Sequence, residues 1–152
     1  MAADDVRSEY DPPERMRGLP SWLVSELARR GQTLVGEALA QEGARRQHFV
    51  VLTSLAEQGA ASQAELGRRL WIDRSDLHAL LGELERDGLV TRVRDAEDRR
   101  RNVVRLTPEG EAALARLDER VDSAQRALLE PLTAKERREI ISLLERVVSH
   151  RR

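Results

Sequence analysis

The chain has 152 residues, 40% hydrophobic and 35% charged, enough for one domain with a core and extra helices, and too polar for a membrane protein. Its formal net charge is −1, so affinity for nucleic acid must come from local clustering rather than from the total. The absence of cysteine excludes disulfides, thiolate zinc sites and a cysteine redox sensor.

His48, His78 and His150 lack the spacing of metal ligands, so neither metal nor cofactor is expected. No apolar run approaches the roughly 20 residues of a membrane span. The opening MAADDVRSEYDPPERMRG lacks the apolar segment of a secretory signal, and the cytoplasm is the expected location. Lys135 is the only lysine among 26 basic residues. Arginine's planar fork suits phosphates and guanine edges, although a GC-rich genome produces the same bias.

Residues 1–18 are charged, contain DPP and read as a flexible arm. From Pro20, Leu23, Leu27, Leu34 and Leu39 keep to one helical face, with Gly31 and Gly36 predicting a break or bend. RRQHFVVLTSLAEQG predicts a second helix whose apolar side is Val51, Leu52, Leu55 and Ala56, closed by Gly59. Ser62 and Glu65 form an S-x-x-E capping box that opens a short helix ending near Leu70. After the tight connection WI, Asp73 reads as the N-cap of RSDLHALLGELERDG. Its Leu77, Leu80, Leu81 and Leu84 fall at the spacing of a buried face, and Gly88 ends it.

LVTRVR and NVVRL alternate as antiparallel strands on either side of DAEDRRRN. Thr107 and Pro108 supply an N-cap and a first-turn proline for a long helix. Along it Leu114, Leu117, Val121, Ala124 and Leu128 alternate in steps of three and four, like a coiled-coil seam. Pro131 interrupts. Thr133 and Glu136 form a second capping box before a helix with Ile140, Leu143, Leu144 and Val147 on one face.

A short capped helix, a tight turn, a longer helix and a hairpin make a winged helix-turn-helix, and the fold expected is mainly α. The division is a flexible arm over 1–18, an N-terminal dimerisation helix over 19–45, the winged domain over 46–107 and C-terminal dimerisation helices over 108–152. The second helix buries its leucines and leaves Arg74, Ser75, Asp76, His78 and Ala79 for a major groove. Arg92, Arg94, Arg99, Arg100, Arg101 and Arg105 cluster in the hairpin. In an arbitrary hairpin such a cluster is a solvated loop; behind a helix-turn-helix it reads as a wing offering arginine to a minor groove. Asp95, Glu97 and Asp98 would be repelled by phosphates, so they fit the role of holding the wing's shape.

The stretch from Gln63 to Leu114, with IDRSDL, LERDGLV, DAEDRR and LTPEG in order, resembles the core of the MarR family of bacterial transcriptional regulators. The resemblance implies a homodimer of interleaved terminal helices, with Leu23, Leu27, Leu117, Val121, Leu128, Ile140, Leu144 and Val147 in the interface. The residues point the same way, because a heptad seam and large apolar end faces want a partner. Two-fold symmetry then implies a pseudo-palindromic double-stranded operator, with recognition helices about 10 base pairs apart, and a repressor is the expected mode. Carried over by position, Ser62 and Gln63 meet phosphates through helix N-terminal amides, and Arg74, Ser75, Asp76 and His78 face bases and nearby phosphates. Asp98 orients the wing, and Arg99 and Arg100, with Arg94 and Arg101 beside them, reach the minor groove or its phosphates.

The chain departs from the family at Trp71, where a small residue is common, and at Ala79 and Gly82, where longer polar side chains occur. Trp71 is expected to pack at the turn, a phosphate or partner contact being the alternative. Asp76 is expected to stabilise its helix start, with hydrogen bonding to cytosine as the alternative. Many relatives are released by small aromatic ligands, and Trp22, Arg46 and His48 are the candidates to line such a pocket. An enzyme is not expected, since no nucleophile–base pattern, phosphate loop or metal spacing occurs. The rival reading is a winged helix that grips a protein or RNA; the short polar residues over 74–79 favour a DNA groove.

Overall fold

The computed structural model describes residues 12–95, 98 and 102–150. In chain order these form α1 (Glu14–Arg17), α2 (Pro20–Ala40), α3 (Arg46–Gln58), α4 (Gln63–Leu70), α5 (Arg74–Arg86), β1 (Val90–Arg94), β2 (Asn102–Leu106), α6 (Pro108–Leu128) and α7 (Ala134–Ser149). No helix among the described residues is long and apolar enough to cross a membrane. The winged helix-turn-helix is α4, the turn at 71–73, α5 and the β1–β2 hairpin.

Helix α2 runs unbroken through Gly31 and Gly36, against the expected bend. A mid-helix glycine costs about 1 kcal/mol of propensity, but α2 packs along α6 more extensively than any other two helices pack. A Cβ on Gly31 would sit 3.2 Å from the Leu128 side chain, so this glycine lets the two helices close on each other. In α3 the inward side is Val51, Leu52 and Leu55. Ala56, expected among them, is exposed because it falls one position past the buried face.

The core runs from the end of α2 (Leu39) through Val51, Leu52 and Leu55, Leu66 of α4 and the four leucines of α5, to Val90, Val104, Leu114 and Leu117. The strands pair antiparallel from Val90 opposite Leu106 to Arg94 opposite Asn102. Ala61 extends the sheet: its N–H donates to Val104 O at 3.1 Å, and Val104 N donates back at 2.8 Å. The base of the wing is therefore tied to the loop that opens α4. On its other side Thr107 Oγ1 donates to Gly88 O at 2.6 Å and accepts from Gly110 N at 2.9 Å. A Cβ on Gly110 would lie 2.0 Å from the Leu89 carbonyl oxygen, so only glycine fits where α6 starts against the sheet.

The coiled-coil seam on α6 finds a covering inside the chain. Leu117 is 3% exposed in the core and Ala124 is buried, with Val121 packed on the same cluster. The expectation that Leu117 meets a partner is corrected accordingly: its side chain is consumed at home. Helix α7 differs, for none of its side chains is buried and Val147 and Val148 are 74% and 84% exposed. At the start of α2, Leu19, Leu23 and Val24 are exposed as well. Arg137 fixes the turn into α7, its Nε donating to Leu129 O at 3.0 Å and Leu132 O at 2.9 Å.

Candidate nucleic-acid interface

Both capping expectations for the helix-turn-helix hold. Ser62 Oγ accepts from Glu65 N at 3.3 Å, and Ser62 N donates to the Glu65 carboxylate at 2.9 Å. Ser62's own amide is thus occupied, which corrects its assignment as a phosphate donor; the first-turn amides outside the box are those of Gln63 and Ala64. Asp73 caps α5, its Oδ1 accepting from Ser75 N at 2.7 Å and from the Ser75 hydroxyl. These two bonds hold the Asp73 carboxyl below the usual aspartate range. They also orient Ser75: its proton is turned to Asp73, so its oxygen is left as an acceptor for a neighbouring group.

Gln63 links the two helices by donating Nε2–H to the Arg74 carbonyl at 3.2 Å. The start of α4 and the first residue of α5 are thereby held in register. Between them runs a groove of about 1060 Å³ bordered by Gln63, Gly67, Arg68, Arg74, Ser75 and His78. The structure brings together Gln63, Arg74, Ser75 and His78 as expected and adds Arg68, an exposed arginine on α4. No acid other than the cap Asp73 borders this groove.

With about 3.6 residues per turn, the side of α5 opposite Leu77, Leu81 and Leu84 carries Ser75, Ala79, Gly82 and Arg86. Arg86 is exposed at the far end of that stripe, its Nε donating to Gly82 O at 3.3 Å. It was missed in the sequence, although the same periodicity that locates the buried leucines locates it. Asp76 lies on the flank facing α3, where Arg45, Trp71, Ala79 and Glu83 border a second groove. Asp76 is exposed there, on the Ala79 side of the outward stripe.

Glu83 anchors that α3-facing flank. His48, 8% exposed, accepts the Arg45 N–H on Nδ1 at 3.2 Å, so its ring proton sits on Nε2 and donates to Glu83 Oε2 at 2.9 Å. The Arg45 guanidinium pairs with the same oxygen. The His48 and Arg45 hydrogen bonds hold the Glu83 carboxyl below the ordinary glutamate range. The recognition helix is thus pinned to the N-terminus of α3.

In the wing, Arg94 is exposed at the end of β1 opposite Asn102, and Arg92 pairs with Glu85 of α5 at 3.6 Å. Asp98 is exposed and engaged with a neighbour. Arg99, Arg100 and Arg101 lie outside the described residues. Trp71, expected to pack at the turn, is 95% exposed and left-handed, with φ 54°.

The expected ligand trio is not gathered within one chain. His48 borders a cavity of about 240 Å³ with Glu42, Leu52, Leu84, Arg116 and Leu117, and neither Trp22 nor Arg46 does. Arg46 is exposed, and Trp22 sits about 27 Å along α2 from the end that meets α3. Among the described residues no cluster of acids and histidines could hold a metal ion.

Residues 43–101 match the model of the MarR family. The homoprotocatechuate degradative operon repressor of Escherichia coli is 33% identical over 85 residues, which are 56% of this chain and 57% of the repressor, so the match spans little more than half of that relative. The PcaV transcriptional regulator of Streptomyces coelicolor, solved alone and with its natural ligand, is 31% identical with a TM-score of 0.69, covering 86% of this chain and 95% of that one. A Mycobacterium tuberculosis MarR family protein in complex with DNA is 27% identical with a TM-score of 0.74, covering 91% of this chain and all of that one, 100%. The matched segment holds both helices of the helix-turn-helix and β1, and the structural likeness extends over the terminal helices. The chain belongs to the MarR family.

Proposed function

We propose that the chain is a sequence-specific DNA-binding transcriptional regulator, a repressor that sits as a homodimer on a pseudo-palindromic operator. One observation carries the reading: α5 buries one face completely, and its other face and α4-side flank gather Arg68, Arg74, Ser75, His78 and Arg86, with Asp73 taken up by its capping bonds and Glu85 paired with Arg92 of the wing. A helix of this kind presents polar and cationic groups to a major groove, while the first-turn amides of α4 meet the adjoining phosphates. Arg94, Arg99, Arg100 and Arg101 supply the wing. The solved DNA complex of a relative and the repressor role of another support the reading, as does the fact that the relatives are regulators rather than enzymes.

The homodimer rests on the uncovered apolar residues of α7 and of the start of α2, including Leu23, Ile141, Leu143 and Val147. A small ligand releases the protein by entering the cavity beside His48, one hydrogen bond from Glu83 on the recognition helix. The test is fluorescence anisotropy against a duplex that the protein enriches from a random pool, with a scrambled duplex as control, at several salt concentrations. Dimer-stoichiometric binding that beats the control and weakens steeply with salt is expected. Equal weak binding to both duplexes would mean that this winged helix serves another partner.

A further inference from the structure

Trp71 is the only non-glycine residue with positive φ among those described (φ 54°, ψ 40°), and its ring is 95% exposed. Left-handed backbone is unfavourable for a bulky residue and free for glycine. Holding an indole in water is unfavourable again. At that exposure the ring touches almost nothing of its own chain, so neither cost is offset within the fold. An outlier of this kind points outward, to something the folded chain binds.

Its position says what that is. Trp71 ends α4 two residues before the cap of α5, and it borders the groove formed with Asp76, Ala79 and Glu83 of α5 and with Arg45 and Gln47. Ala79 also belongs to the outward stripe of α5, so this groove is continuous with the reading face. A duplex with α5 in its major groove lays one strand along each flank of the helix. The strand on the α4 side meets Gln63, Arg68 and Arg74. The other strand meets a flank whose one cation, Arg45, is already paired to Glu83 and whose Asp73 is held by Ser75. That flank grips a backbone poorly by charge. An indole grips it by apolar contact with deoxyribose and has one N–H to donate to a phosphate.

We propose that Trp71 lies against the sugar–phosphate backbone of the operator strand on the α3 side of α5, an uncharged contact that balances the cationic grip on the α4 side. The proposal rests on the reading of the chain as a DNA-binding regulator, and its test separates the two.

The experiment compares the wild type, Trp71→Gly and Trp71→Phe on the enriched duplex, with thermal unfolding of each. Trp71→Gly is expected to unfold at the same or a higher temperature, because glycine is at home at φ 54°, and to bind about fivefold to tenfold more weakly. The slope of log affinity on log salt stays that of the wild type, since every cation is kept. Trp71→Phe, which keeps an aromatic ring, recovers most of the affinity. In a Trp22→Phe background, where Trp71 is the only tryptophan, its emission shifts when the duplex is added. Equal binding by wild type and Trp71→Gly, or an emission unmoved by saturating duplex, overturns the contact while the regulator reading stands. That result would turn attention to a protein partner. A wild type that enriches no sequence overturns both.

Discussion

Helices α5 and α7 are written to the same rule: a capped start, leucines and β-branched residues at a helical spacing, charges elsewhere. In α5 the side chains of Leu77, Leu80, Leu81 and Leu84 are buried. In α7 no side chain is, and Val147 is 74% exposed. The two helices teach that amphipathicity states how much apolar surface must be covered but not by what. The chain covers α5 itself, with α3, α4 and the wing; it leaves the apolar side of α7 uncovered. The winged lobe should therefore owe its stability to the single chain, whereas α7 should owe its order to association.

The comparison breaks most visibly at its two extremes. Leu117→Asp buries an unpaired charge in the core and should abolish cooperative folding. Leu81→Ala should cost about 2–5 kcal/mol in chemical denaturation, with a secondary-structure signal that changes at all protein concentrations. Val147→Asp should leave the winged lobe folded and convert dimers to monomers on sedimentation. A Val147→Asp protein that still sediments as a dimer would mean that the exposed side of α7 is not the interface. A Leu117→Asp protein that folds as a monomer would restore Leu117 to the interface, contrary to its burial.

DNA binding sharpens the second contrast, between the two flanks of α5. Arg74→Ala on the α4-facing flank should weaken operator binding by about 1–3 kcal/mol without moving the unfolding temperature. Arg99→Ala with Arg100→Ala should weaken it too and flatten the salt dependence by about one power for each phosphate that is no longer neutralised. Unchanged affinity in that double variant would remove the wing from the interface.

Glu83, on the other flank, tests structure rather than binding. Its carboxyl is held below the ordinary glutamate range by His48 and Arg45. A lowered carboxyl contributes stability that is present above the unfolded value, about pH 4.3, and is lost as pH falls through the lower folded value. Thermal unfolding from neutral pH downward should show the wild type more stable than Glu83→Gln, with the gap closing below that value. A gap that persists undiminished at the acid end would mean that the pair does not set it.

Much of this was legible in the sequence because it is local. The capping boxes at Ser62 and Thr133, the cap at Asp73 and the buried leucines of α5 are each fixed by residues within a turn or two, and all stand in the structure. The misreadings share a different cause. Gly31 and Gly36 looked like a bend because the covering of α2 by α6 lies far along the chain, and Leu117 looked available for the same reason. The Ser62 amide looked free until its own capping partner was counted. Trp71 looked like a packing residue because residue type says apolar, while its left-handed backbone and the groove it borders exist only in three dimensions. Arg68 and Arg86 were readable from periodicity and passed over because they lie outside the 74–79 stretch that the motif brings forward.

The smallest effect expected is at Gly82, and it bears on how closely α5 approaches a groove. Gly82 is in mid-helix on the outward stripe, and a Cβ there would meet nothing within 4 Å. Nothing in the chain requires glycine, which costs about 1 kcal/mol of helix propensity relative to alanine. Gly82→Ala should therefore raise stability by up to about 1 kcal/mol in denaturant titration. The same methyl would stand between the backbone of α5 and the floor of a major groove, so operator affinity should fall, by less than Arg74→Ala lowers it. A gain in stability with no loss of affinity would place the close approach at the Ser75 end of α5, with the helix tilted out of the groove by the time it reaches Arg86.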